Sequence, residues 1–126
     1  MNSPAVDVAT ILEENMDNNL FVSKEPAITD PTVTVYDGVQ NNISFTFDRS
    51  TYEIPAVQIR IKDYSYEAGW KTVQEISEVL DQARGQEWNG TYYVRFTHTS
   101  DPTSIGKDKQ GKIIIVMNLE TERRRR

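Results

Sequence analysis

The hydrophobic period changes sharply around Asp63, and that change constrains the fold more than any other feature of the chain. Before it, Val57, Ile59 and Ile61 alternate with Gln58, Arg60 and Lys62. A period of two puts one face of a strand against a core and the other toward water. After it, Trp70, Val73, Ile76, Leu80 and Ala83 step by three or four, the stripe of an amphipathic helix. Gly85 follows, where a helix end favours a residue without a Cβ. Strand and helix of opposite period therefore succeed each other within one short chain.

The remaining segments repeat both periods. Ser3 and Pro4 make a helix start, a capping hydroxyl followed by a proline whose missing N–H matters least there. The face Ala5, Val8, Ala9, Leu12 and Met16 then predicts a first helix, with Asp7, Glu13, Glu14 and Asn15 mostly on other faces. Leu20 to Val22 is too short an apolar run to assign. Thr32 to Tyr36, Ile43 to Phe47 and the stretch after Pro55 alternate as half-buried strands. After Asn89 and Gly90, Tyr92, Val94 and Phe96 alternate against Tyr93, Arg95 and Thr97. A polar loop from Thr99 to Gly111 leads to a last strand, Lys112 to Glu122. Its run Ile113 to Met117 predicts burial on both faces or at a subunit contact. The expected fold is α+β, two amphipathic helices packed on one face of a mainly antiparallel sheet. A single domain is expected over 1–122, followed by a basic tail at 123–126.

Charge narrows the function. The 126 residues hold 14 Lys+Arg against 19 Asp+Glu, and Arg123, Arg124, Arg125 and Arg126 supply four of the positive charges. The body then has ten cationic against 19 anionic groups, a net −9 that disfavours phosphate backbones and anionic membranes. No cysteine is present, so disulfides, thiolate metal sites and thiol nucleophiles are excluded. No apolar run spans a bilayer, and the first residues lack the pattern of a signal peptide. The expectation is a chain that stays cytoplasmic when made, with the sequons at Asn42 and Asn89 unglycosylated.

Candidate chemistry is sparse. Gly106 to Lys112 has the spacing of a phosphate-binding loop, but Ile113 stands where Ser or Thr should hold magnesium and a strand follows instead of a helix. It reads as a charged hairpin turn using Asp108 and Gly111. His98 is the lone histidine, with Ser100, Asp101 and Ser104 close in sequence, which is not the buried geometry that activates a nucleophile. The carboxylates Glu13, Glu14, Glu75, Glu78, Glu120 and Glu122 read as solvated charge, with calcium as the alternative. The aromatics sit among Asp37, Asp48, Glu53, Asp63 and Glu67, which suits core packing and protein contacts better than a nucleic-acid stacking platform. The arginine run has three readings: a disordered tail, a dock on an acidic neighbouring subunit, or a contact to nearby DNA. No enzyme, cofactor or metal is expected.

The order of motifs carries more. Thr32 to Gly38, Pro55 to Lys62, the helix from Tyr66, Gly106 to Asp108, and Gly111-Lys112 leading to Val116 to Leu119 together resemble the minor capsid or tail terminator family of long-tailed bacteriophages. The resemblance covers roughly residues 4 to 122; the arginine run and Gln40 to Thr51 have no counterpart and inherit nothing. It implies a virion protein of the neck, made in the host cytoplasm. Such a subunit forms a hexameric ring at the head-proximal end of the tail tube, stops tube growth and joins the head. Implied partners are copies of itself, the major tail tube protein and a head-completion or stopper protein, with DNA passing through the channel without specific binding. On that reading the sheet edges build the ring. The loops Asp37 to Tyr52, with Gln40 and Asp48, and Thr99 to Lys112, with Asp101, Lys107, Asp108 and Lys109, reach axial partners. Arg123 to Arg126 would form a further contact. The alternatives are a stopper protein one ring nearer the capsid and a non-viral adaptor domain.

Overall fold

The computed structural model describes residues 3–16, 20–22, 31–38 and 52–125. Two helices, α1 (Pro4–Asn15) and α2 (Tyr66–Ala83), lie on one face of an eight-stranded sheet. The strands are β1 (Leu20–Val22), β2 (Thr32–Asp37), β3 (Tyr52–Glu53), β4 (Ala56–Asp63), β5 (Gln86–Trp88), β6 (Thr91–His98), β7 (Thr103–Lys107) and β8 (Ile113–Arg125). Their order is β1-β2-β4-β8-β6-β5, with β3 and β7 also paired to β8. Every described pairing is antiparallel except β1 with β2. The α+β expectation holds. The strand expected at Ile43 to Phe47 lies outside the described residues.

Both helices start where a hydroxyl satisfies an amide that the first turn leaves without an intrahelical partner. Ser3 Oγ accepts from the Val6 N–H at 3.3 Å and Ser65 Oγ from the Ala68 N–H at 3.0 Å. α2 stops at Gly85, whose φ of 71° is open to glycine and whose N–H donates to the Tyr93 carbonyl at 2.7 Å. The Trp88 indole N–H meets the Ala83 carbonyl at 3.2 Å, satisfying another group at that end.

Register explains the core. Val35 pairs with Ile59 and Ile59 with Met117, while Val33 pairs with Ile61 and Ile61 with Ile115, so alternate residues of three strands form rows under the helices. Above them pack Ala5, Val8, Ile11 and Leu12 of α1 and Val73, Ile76, Leu80 and Ala83 of α2. Each fully buried aliphatic contributes about 1.5–3 kcal/mol. The run Ile113 to Met117 is divided between faces: Ile115 and Met117 join the core, while Val116 is buried and Ile114 half-buried on the other side.

The expectations for β6, β7 and β8 need correction. In β6 the register shifts between Tyr93 and Arg95, a bulge that inverts the face assignment. Tyr93 therefore shares the helix-covered face with Phe96, their rings stacked at 5.3 Å, whereas plain alternation separates them. The polar stretch after Thr99 is not all loop: β7 pairs in register from Thr103 opposite Val116 to Lys107 opposite Ile113. Its five residues are all exposed, so the alternation that marks a half-buried strand is missing. β8 continues past Glu122 through Arg125, so three of the four arginines extend the last strand where a separate tail was expected. Among the described residues no helix is long and apolar enough to cross a membrane.

Candidate assembly surfaces

Two clusters and two loop attachments carry the polar geometry of the molecule. The first cluster is buried. Asp7 of α1, expected off the apolar face of the helix, is fully buried. Its Oδ2 accepts from the Tyr93 hydroxyl, and its Oδ1 accepts from the Asn89 amide at 2.7 Å. Arg123, 6% exposed, donates from Nη1 to the Tyr93 oxygen at 3.2 Å and from Nε to Glu53 at 2.7 Å, and its Nη1 lies 3.6 Å from Asp7. Burial, then the hydrogen bond to Asp7, pushes the Tyr93 hydroxyl well above its ordinary value. Burial alone would lower the Arg123 guanidinium; its bonds and charges toward Tyr93 and Glu53 outweigh that and raise it. The cluster ties α1, β3, the β5–β6 turn and the end of β8 together. It is assembled by fold contacts across 30 to 116 residues of sequence, which no local pattern displays.

The rest of the arginine run divides further. Arg124 lies over the Tyr92 ring at 4.7 Å. Arg125 is in register with Thr91, and Arg126 lies outside the described residues.

The second cluster lines a groove between α2 and the β6–β7 connection: Trp70, Ser77, Glu78, His98, Asp101 and Pro102. Ser77 Oγ stands 3.3 Å from His98 Nε2, a pair missed in the sequence because Ser77 sits 21 residues away on a helix. The Ser77 hydroxyl also donates to the Val73 carbonyl at 3.0 Å. Which of Ser77 and His98 donates in that pair follows the imidazole tautomer, and the pair is exposed, which is not the buried geometry that activates a nucleophile. Among the described residues no group of three His, Asp or Glu is placed to hold a metal.

One candidate loop attaches along the far half of β8, at the level of Leu119 and Arg124; the other starts beside Asn118 and turns back at Ile113. Asp37 is in register with Val57, which pairs with Leu119, and its Oδ1 accepts the Ala5 N–H at 3.1 Å, so it caps the start of α1. Tyr52 opens β3 opposite Arg124. Gln40 and Asp48, between them, lie outside the described residues. The tip of the other segment is the β7–β8 turn beside Ile113. There Asp108 Oδ1 accepts the N–H groups of Gln110 and Lys112, both at 2.9 Å, and Oδ2 lies 3.6 Å from Lys62 Nζ. Partial burial pushes the Asp108 carboxyl up, but the N–H groups of Lys112 and Gln110 and the charges of Lys62 and Lys112 prevail and hold it below its usual value. Gly111 closes the turn with φ 82°. The phosphate-loop spacing is thus a hairpin turn, as its residues suggested. Lys107 and Lys109 are exposed at that turn, and Thr99 and Asp101 are exposed before the start of β7; the Thr99 N–H holds the Asn118 carbonyl at 3.0 Å.

A model of the bacteriophage tail terminator protein family matches residues 6–125. This chain belongs to that family. The match runs from the first turn of α1 to the end of β8 and includes Arg123 to Arg125, beyond the range of the sequence resemblance. No curated protein matches the chain. Membership makes this tail terminator family chain a structural component of phage tails.

Proposed function

We propose that the chain forms a hexameric ring at the head-proximal end of the tail tube, ends tube polymerisation there and offers the opposite face to a head-completion protein. The family match over nearly the whole chain is the observation that carries this reading. Tube rings stacked head to tail extend without limit unless a last ring presents one face that matches and one that does not. The attachment geometry suits that requirement. Asp37 and Tyr52 depart near Leu119 and Arg124 of β8, while the β7–β8 tip sits beside Ile113, roughly 20 Å and 35 Å of strand away from them respectively. One subunit thus offers unlike features at its two ends. Sheet edges remain for lateral contacts between copies, and the acidic body suits a channel through which duplex DNA slides.

Electron microscopy of particles assembled without this chain tests the reading. Overlong tails are expected. Tails of normal length below heads that lose DNA would instead identify a stopper, one ring nearer the capsid.

A further inference from the structure

We propose that the groove between α2 and the β6–β7 connection receives the arginine run of a neighbouring copy, with Arg125 and Arg126 seated against Trp70 and between the carboxylates of Glu78 and Asp101. This rests on the ring reading and names a contact within it.

The groove has the chemistry that a guanidinium selects. Its wall is the half-buried Trp70, stacked on Tyr66 at 6.1 Å, with Pro102 opposite. Indole is the strongest aromatic partner for a cation. Glu78 and Asp101 line the same groove with exposed carboxylates, and among the described residues neither pairs with a cation. Carboxylate plus aromatic face matches arginine better than lysine, because the planar guanidinium stacks and forks at once.

The cation comes from the chain itself. Its densest positive charge is the arginine run, on a body otherwise at −9. Arg123 is committed to Glu53 and Tyr93 and Arg124 to the Tyr92 ring, so the contact is assigned to Arg125 and Arg126.

Geometry makes the contact intermolecular. His98, which lines the groove, is in register with Leu119, whereas Arg125 is in register with Thr91. Six residues of extended strand separate the two, about 20 Å. Arg126 is one covalent Cα step, about 3.8 Å, beyond Arg125. The run of one subunit therefore misses its own groove and is available to the next. Donor and acceptor patches at different places on one subunit define a heterologous contact, the kind that closes into a ring when the rotation allows.

The absence of native cysteine provides a direct test. Chains carrying Asp101→Cys and Arg126→Cys are mixed, assembled on tail tubes and oxidised with diamide. The expected result is a disulfide-linked pair joining one chain of each kind, while a control mixture of Glu13→Cys with Arg126→Cys, placed on exposed α1, gives little. In parallel, Glu78→Arg with Asp101→Arg should weaken ring association at least about tenfold in sedimentation, and adding Arg125→Glu with Arg126→Glu should recover it to within about threefold. Rings that form normally with reversed charges and give no Asp101–Arg126 cross-link would overturn the groove contact and leave the ring intact. A chain that stays monomeric both free and at tube ends would remove the ring and the contact with it.

Discussion

Arg123 and Arg124 are adjacent and identical, yet the fold gives them different work. Arg123 is buried between Tyr93 and Glu53, whereas Arg124 covers the Tyr92 ring near the surface. Removing one partner from a buried pair leaves the other charge stranded, here that of Asp7, at about 3–5 kcal/mol. A cation over a surface ring contributes only about 0.5–1 kcal/mol. Arg123→Ala should therefore lower unfolding stability by about 3 kcal/mol and Arg124→Ala by less than about 1, read from urea denaturation midpoints. Equal effects would mean the cluster does not hold β8 in place. Gly38 is a second sensitive position. A Cβ there would stand 3.1 Å from the Ala56 carbonyl carbon and 3.2 Å from the Val57 nitrogen, and the Gly38 N–H is itself bonded to the Ala56 carbonyl at 2.8 Å. Backbone cannot swing aside as a side-chain tip can, so Gly38→Ala should destabilise by about 1–3 kcal/mol in the same assay. Neither role was legible in the sequence. A charged residue on an otherwise amphipathic helix reads as solvated, and Asp7 is buried only because Tyr93 and Arg123 arrive from 86 and 116 residues away.

Elements were legible in proportion to how strongly one face is buried. α2 and β4 show their periods because one side meets the core and the other does not, whereas β2 alternates Thr with Val although both of its sides are buried. β7 fails that condition, since its exposure is uniform and backbone pairing to β8 alone makes it a strand. The bulge in β6 is invisible for a related reason: it shifts Tyr93 onto the Phe96 side without altering the apolar composition of the strand. The β7–β8 hairpin also carries the proposed axial contact. Ile105 is 55% exposed there, the largest exposure of any described large apolar residue. Since it contributes little to the core, Ile105→Asp should leave the melting temperature within about 2 °C of the parent. The same change should disturb tail length in assembled particles, counted by electron microscopy. Normal tails would remove the hairpin from the contact surface. The turn has a pH signature of its own. Asp108 is held below its usual value in the folded chain, so its stabilising contribution is complete above the ordinary carboxylate value and is lost as pH falls through the depressed one. The amide resonances of Gln110 and Lys112 should titrate with a midpoint below that of a free aspartate, and Asp108→Asn should abolish the step.

At the scale of the whole molecule the question is whether an acidic body with an arginine run holds DNA or lets it pass. Each phosphate neutralised releases counterions, and affinity falls with salt at a slope of about −0.9 per contact. If all four arginines were free, the chain would present a cationic patch of the kind that anchors nucleic-acid binders. Arg123 is spent inside the protein on Glu53 and Tyr93, and Arg124 lies on Tyr92, so the run can offer at most three contacts, with a slope no steeper than about −2.7. Proteins that grip duplex DNA at physiological salt make about 6–10 such contacts. The remaining surface opposes even three, because ten Lys+Arg face 19 Asp+Glu outside the run. Fluorescence anisotropy with a short labelled duplex should therefore detect no binding at about 0.15 M salt up to roughly 100 μM protein. Any signal at low salt should vanish with the shallow slope of three contacts or fewer. A slope of −5 or steeper would place a basic surface where none is described, and the channel would then have to grip DNA where the charge balance argues for passage.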